Sequence, residues 1–94
     1  MPFPQQKPVP FDHPNVEALT RSQFGCYGLF KLDVWVYVGK GDIRQRLLDH
    51  LNGDNICITR QGPTHFVSVL ATDMDRAEKR LISELTPVCN QPVG

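Results

Sequence analysis

No apolar run in this chain approaches the length that a bilayer-spanning helix needs, so neither a helical membrane span nor a membrane partner is expected. The opening stretch, MPFPQQKPVPFDHP, has no charged segment leading into an apolar one, so it does not read as a secretion leader, and a cytoplasmic location is expected. Charge of either sign is not in excess: Lys and Arg number ten, Asp and Glu ten, and the net charge is zero. That excludes a large field drawing polyanions from a distance and leaves room only for a small, local basic site. Cysteine is sparse and unpatterned. Cys26, Cys57 and Cys89 form no C-x-x-C pair, so free thiols are expected rather than a disulfide framework or a structural zinc site. Internal repeats and low-complexity tracts are missing too. What remains is 94 residues, 40% hydrophobic and 21% charged, the composition of one globular domain with a modest core.

Prolines crowd residues 1–14 and bar a helix or central strand there, so residues 1–22 read as an extended arm laid over a domain spanning 23–94. A helical turn is expected with Pro14 at its first position, followed by Asn15 to Leu19. Phe24–Lys31 and Val34–Gly39 read as strands joined through Leu32-Asp33. Asp42 then caps a helix to Leu51, whose apolar residues Ile43, Leu47, Leu48 and Leu51 recur at helical spacing and which Asn52-Gly53-Asp54 ends. NICITRQGPT is either a helical turn or a loop. His65–Ala71 is a third strand, and Thr72-x-x-Asp75 resembles a capping box that opens a helix to Leu85, stopped by Pro87. The expected fold is α/β: a small sandwich with a three-stranded antiparallel sheet flanked by helices.

Several polar residues fall where apolar ones are expected. Strict alternation places Val34, Val36 and Val38 on one face of their strand, and Trp35, Tyr37 and Gly39 on the other. On the preceding strand Tyr27 shares a face with Gly25 and Leu29. Tyrosines beside glycines point either to a cleft, where glycine leaves room for a ligand, or to ordinary cross-strand packing. Arg46 and His50, four residues apart, share a helix stripe at the edge of the apolar face, where they either line a cleft or form a solvated flank. On the last helix Glu78 falls inside the stripe of Met74, Ala77, Leu81, Ile82 and Leu85. A carboxylate there needs a cation: a metal, or Arg46 as a simple ion-pair partner.

The ordered set Gly25-Cys26-Tyr27, Tyr37-Val38-Gly39, Arg46 with His50, Glu78, and Asn90 after a proline-containing turn resembles the GIY-YIG nuclease family. The match covers about Gly25 to Asn90, with Cys in place of the first Ile and Val in place of the second. A loop one residue shorter than the commonest pattern leaves Arg44 competing with Arg46. The resemblance implies an endonuclease that hydrolyses DNA phosphodiester bonds with Mg²⁺ or Mn²⁺. Tyr27 would orient or deprotonate the attacking water, and Tyr37 would bond a phosphate oxygen or share that task. Arg46 would lower the phenol pKa and stabilise charge on the phosphorane, and His50 would relay a proton or hold Tyr27. Glu78 would hold the metal, Asn90 would fix the metal site or the C-terminal segment, and Lys40, Arg44, Lys79 and Arg80 would meet flanking phosphates. Zero net charge, with Trp35 as a stacking platform beside Tyr37, suggests single-stranded or unpaired DNA; for Trp35 the other reading is core packing. A monomer or weak dimer is expected. The alternatives are a non-catalytic nucleic-acid-binding module and a dimeric, duplex-cutting enzyme of the restriction or repair type.

Overall fold

The computed structural model describes residues 3–90. Its strands and helices run β1 (Val9–Pro10), α1 (His13–Glu17), β2 (Phe24–Lys31), β3 (Val34–Asp42), α2 (Ile43–Leu51), α3 (Ile56–Gln61), β4 (His65–Leu70) and α4 (Met74–Leu85), and a 3-10 turn follows at Val88–Asn90. The four strands form one antiparallel sheet in the order β1-β4-β2-β3. The expected three strands are therefore four. The proline-rich arm supplies the extra one, Val9–Pro10, paired to Phe66 and His65. It lies at the sheet edge, where a proline that lacks an N–H leaves no interior ladder bond unmade. The arm also buries Phe3 against the sheet.

Each face of the sheet carries its own apolar cluster. On one, Val16, Ile43, Leu47 and Ile58 from α1, α2 and α3 pack with Tyr27, Leu29, Val36 and Phe66. On the other, Leu81 of α4 packs with Cys26, Val38, Val67 and Phe3. Caps set the helix starts: Asp42 accepts from the Gln45 N–H of α2, and Asn55 accepts from the N–H groups of Cys57 and Ile58 of α3. α4 starts one residue away from the capping box expected at Thr72, because the carboxylate of Asp73 accepts from the Arg76 N–H. α1 likewise begins at His13, with Asp12 as its cap and Pro14 inside its first turn.

Strict alternation along β3 breaks down. Leu29 faces Tyr37 and Phe30 faces Trp35, so Val36 is an extra residue in a β-bulge. The bulge puts Val36 in the cluster that holds Tyr27, beside Tyr37, and Val38 in the other. Trp35 is consequently not on the tyrosine face. It lies across the sheet between Phe3 and Phe30, at ring-centroid distances of 5.7 and 5.2 Å.

The cysteines also depart from expectation. Cys57 and Cys89, 32 residues apart in sequence, form a disulfide with their Cα atoms 5.7 Å apart, and only Cys26 is free and buried. Sequence spacing does not encode this pairing; the fold does, by seating the turn after α4 against α3. Among the described residues no helix is long and apolar enough to cross a membrane.

Candidate functional site

β2 and β3 pair so that Tyr27 stands directly opposite Gly39. The glycine has a steric reason. A Cβ at position 39 would lie 2.3 Å from the Tyr27 hydroxyl oxygen and 2.9 Å from the Tyr37 ring. Both phenols therefore occupy space that a side chain at 39 would fill. Two residues on, Gly41 has φ +123°, and the side chain of Arg46 lies over it. Immediately after, α2 begins and brings Arg46 and His50 to the same place.

His50 is the centre of this cluster. Its side chain is 1% exposed, its Nε2 lies 2.8 Å from the Tyr27 hydroxyl, and its Nδ1 lies 2.7 Å from Oδ1 of Asp54. The Tyr37 ring meets the His50 ring edge-on at 5.1 Å. Arg46 reaches Asp49 at 3.4 Å and Asp54 at 3.9 Å. Burial pushes the Tyr27 phenol well above its ordinary pKa, with the neighbouring Tyr37 adding to the rise and Arg46 opposing it. Burial also raises Tyr37, and there Arg46 pulls down while Glu78 pushes up. For His50, burial lowers the pKa and Asp54 works against the fall.

These positions bear on the expected roles. Tyr27 has no exposed surface, so it does not meet an incoming water in this arrangement. Tyr37 is only half-buried and feels both Arg46 and Glu78, so of the two phenols it is the more accessible. Of the two competing arginines, Arg46 joins the tyrosines, whereas Arg44 donates from Nε to the Glu17 carbonyl beside α1. Glu78 does not pair with Arg46. It lies on α4, 3.4 Å from Lys40, and Asp75 binds the same ammonium. The side chain of Asn90 is engaged by main chain: it accepts from the Val38 N–H at 2.7 Å and donates to the Val38 carbonyl at 2.9 Å. These two hydrogen bonds satisfy the Val38 main chain on the outer edge of β3. Lys79 and Arg80 are exposed on α4. Arg80 pairs with Glu84 and shares a hollow with Asp73, Arg76 and Ala77, and it does not join the tyrosines. Trp35 points to the opposite face, as described above.

One member of the cluster escaped sequence reading. Asp54 belongs to the Asn52-Gly53-Asp54 helix stop, yet the four-residue stride from Arg46 to His50, taken once more, lands on it.

The donor set limits which metal the site suits. Among the described residues no three His, Cys, Asp or Glu side chains are gathered as a metal group. Glu78, its side chain 20% exposed, offers one anchoring carboxylate, with Asp75 on the same ammonium. That suits a hard cation that draws most of its ligands from water and substrate, and it does not suit zinc.

Comparisons with models of known protein families, with curated proteins and with solved structures found no match.

Proposed function

We propose that this chain is a divalent-metal-dependent endonuclease that hydrolyses DNA phosphodiester bonds in the manner of the GIY-YIG nucleases. The observation that carries the reading is the convergence of Tyr27, Tyr37, Arg46 and His50 around Gly39, with Glu78 close enough to act on the Tyr37 phenol from across the strand. These side chains come from β2, β3, α2 and α4, and core packing alone does not require their chemistry. A buried tyrosine bonded to a buried histidine, beside an arginine and a half-exposed tyrosine, is a built polar site.

In this reading Tyr37 contacts the phosphate or its attacking water, and Arg46 supplies the positive charge that draws the phosphate in and stabilises it as charge builds. Tyr27 and His50 form the fixed wall behind Tyr37. Glu78 would hold Mg²⁺ or Mn²⁺, a Lewis acid for the leaving oxygen when bound. Lys40 is the counter-ion of both Glu78 and Asp75; a cation held by Glu78 would leave it on Asp75 alone, exposed enough to meet a phosphate. Asn90 holds the strand that carries Tyr37 and Gly39. DNA is the proposed substrate class, and a monomer suffices for a single cut.

The test is cleavage of end-labelled oligonucleotides with Mg²⁺, with Mn²⁺ and with chelator. Metal-dependent cutting that Glu78→Gln removes, with the circular-dichroism spectrum unchanged, supports the reading. Binding without cutting in either metal would point instead to a non-catalytic nucleic-acid module, and wild-type cutting by Glu78→Gln would overturn the metal assignment.

A further inference from the structure

The turn that closes α2 does more than end a helix. Gly53 takes φ +85°, and the N–H groups of Gly53 and Asp54 donate to the carbonyls of His50 and Asp49 at 3.1 and 3.2 Å. The chain thus folds back on the helix it has just left. Asp54 comes to rest with one oxygen 2.7 Å from His50 Nδ1 and the other 3.9 Å from Arg46 Nη1. One carboxylate faces both the imidazole and the guanidinium.

The chemistry of the donors fixes the direction of the chain. A carboxylate only accepts, so His50 must carry its hydrogen on Nδ1. Nε2 is then bare, and at 2.8 Å it accepts from the Tyr27 hydroxyl. Tyr27 has no exposed surface and the His50 side chain almost none, so these bonds lie out of competition with water. The relay opens to solvent only at Asp54, whose side chain is 36% exposed.

We infer that Asp54 is a positioning residue of the site: it sets the tautomer and orientation of His50, through His50 the Tyr27 hydroxyl, and with its second oxygen the place of Arg46. The consequence for cleavage rests on the nuclease reading; the tautomer does not. A surface aspartate that merely finishes a helix would leave the imidazole free to choose its tautomer. The groups that bear on His50 are Tyr27 from β2, Tyr37 from β3, Arg46 and Asp49 from its own helix, and Asp54. Of the two aspartates, Asp54 is the one bonded to the ring.

The experiment is a pH titration of the full chain by long-range ¹H–¹⁵N correlation of the imidazoles, on wild type, Asp54→Ala and Asp54→Asn, with cleavage of a labelled oligonucleotide in Mg²⁺ alongside. Wild type is expected to show His50 as the neutral Nδ1–H tautomer at pH 7. Asp54→Ala is expected to give mixed tautomers and a lower His50 pKa. It should lower kcat by at least about tenfold, the scale on which orienting partners act, with KM nearly unchanged. Asp54→Asn keeps an acceptor without the charge, so it should restore the tautomer but not the pKa. An Nε2–H tautomer in wild type, or a tautomer and titration unmoved in Asp54→Ala, would overturn the inference. Unchanged kcat in a wild-type background that cuts would do the same. A wild type that shows the Nδ1–H form but cuts nothing refutes the nuclease reading and leaves the Asp54 assignment supported.

Discussion

Gly39→Ala is the smallest change that reaches the centre of the site. The added methyl carbon would lie 2.3 Å from the Tyr27 oxygen, 2.5 Å from the ring carbon that bears it and 2.9 Å from the Tyr37 ring, while ordinary contact begins at 3.4 Å. The hydroxyl must therefore withdraw by 3.4 − 2.3, about 1 Å. It is now 2.8 Å from His50 Nε2, so this bond stretches or breaks. Tyr27 is fully buried, so it can withdraw only if its neighbours shift with it. Overpacking of this kind costs about 1–3 kcal/mol, and in a domain of this size 2 kcal/mol lowers the melting temperature by roughly 8–16 °C. If the nuclease reading holds, a shift of about 1 Å in the wall that positions Tyr37 also costs on the order of a hundredfold in kcat. Gly62→Ala is the matched control. Its φ of +63° makes alanine strained, but no atom lies within 4 Å of its Cβ and it stands apart from the site. It should lose stability through backbone strain, about 1–2 kcal/mol, and keep its activity per folded molecule. Thermal melts and single-turnover cleavage on both variants decide the matter. Wild-type melting for Gly39→Ala would show that Tyr27 does not occupy the space over position 39, and the close-approach account of the Tyr-Val-Gly tripeptide would be wrong.

Two further outcomes follow from the cross-link and from His50. The Cys57–Cys89 disulfide spans 32 residues, a loop for which the chain-entropy relation gives about 3–4 kcal/mol; denaturant unfolding of oxidised protein against Cys57→Ser should show a loss of that order, and equal midpoints would mean the bridge does not form in solution. His50 is held below its ordinary pKa of about 6.5 by burial, so the unfolded chain takes up a proton first as pH falls. The stability it contributes is complete above about pH 6.5 and declines as pH drops toward its folded pKa. Melts between pH 7.5 and 5 should show this decline in wild type and a shallower one in His50→Gln.

The elements of this fold were legible because each carried a local signal. Asp42 and the Ile43–Leu51 spacing mark α2, the Leu32-Asp33 turn joins β2 to β3, and Pro87 follows α4. What escaped were non-local outcomes. The bulge at Val36 arises from how β3 pairs with β2, and period-two alternation cannot register an extra residue. One inserted position moved Trp35 through the sheet and removed the stacking platform expected beside Tyr37. The Val9–Pro10 strand escaped because proline argues against strands in general, while an edge position exempts it. The disulfide joins two helical elements through tertiary packing alone. It also weakens the premise behind the expected location, since disulfides persist where surroundings oxidise. The site was legible as a list of residues and not as geometry. Arg46 and His50 were found by stride, but the burial of Tyr27 and the partnership of Glu78 with Lys40 depend on where whole elements pack.

The electrostatics around the tyrosine cluster carry one more expectation for the proposed DNA substrate. Most cations near the site already have carboxylate neighbours: Lys40 with Asp75 and Glu78, Arg46 with Asp49 and Asp54. Arg80 is turned away and paired with Glu84, and Arg44 faces α1. Arg46 and Lys40 would each have to turn from a carboxylate to a phosphate, and Lys79 is exposed on α4, so the count is at most about three contacts. Counterion release then predicts a slope of log affinity against log salt of about −2 for a single strand and about −3 for a duplex. The single strand has lost the stacking surface that Trp35 was expected to add, so any preference for it must come from flexibility, which lets one phosphate bend toward Tyr37. Fluorescence anisotropy with matched single-stranded and duplex oligonucleotides, in chelator and across 50–200 mM salt, measures both slopes. Affinities that fall about 20-fold for the single strand and about 40-fold for the duplex over that range would match the count. A slope of about −6 or steeper would mean that a long basic track outside this cluster holds the nucleic acid, and the site would then have to be sought along that track.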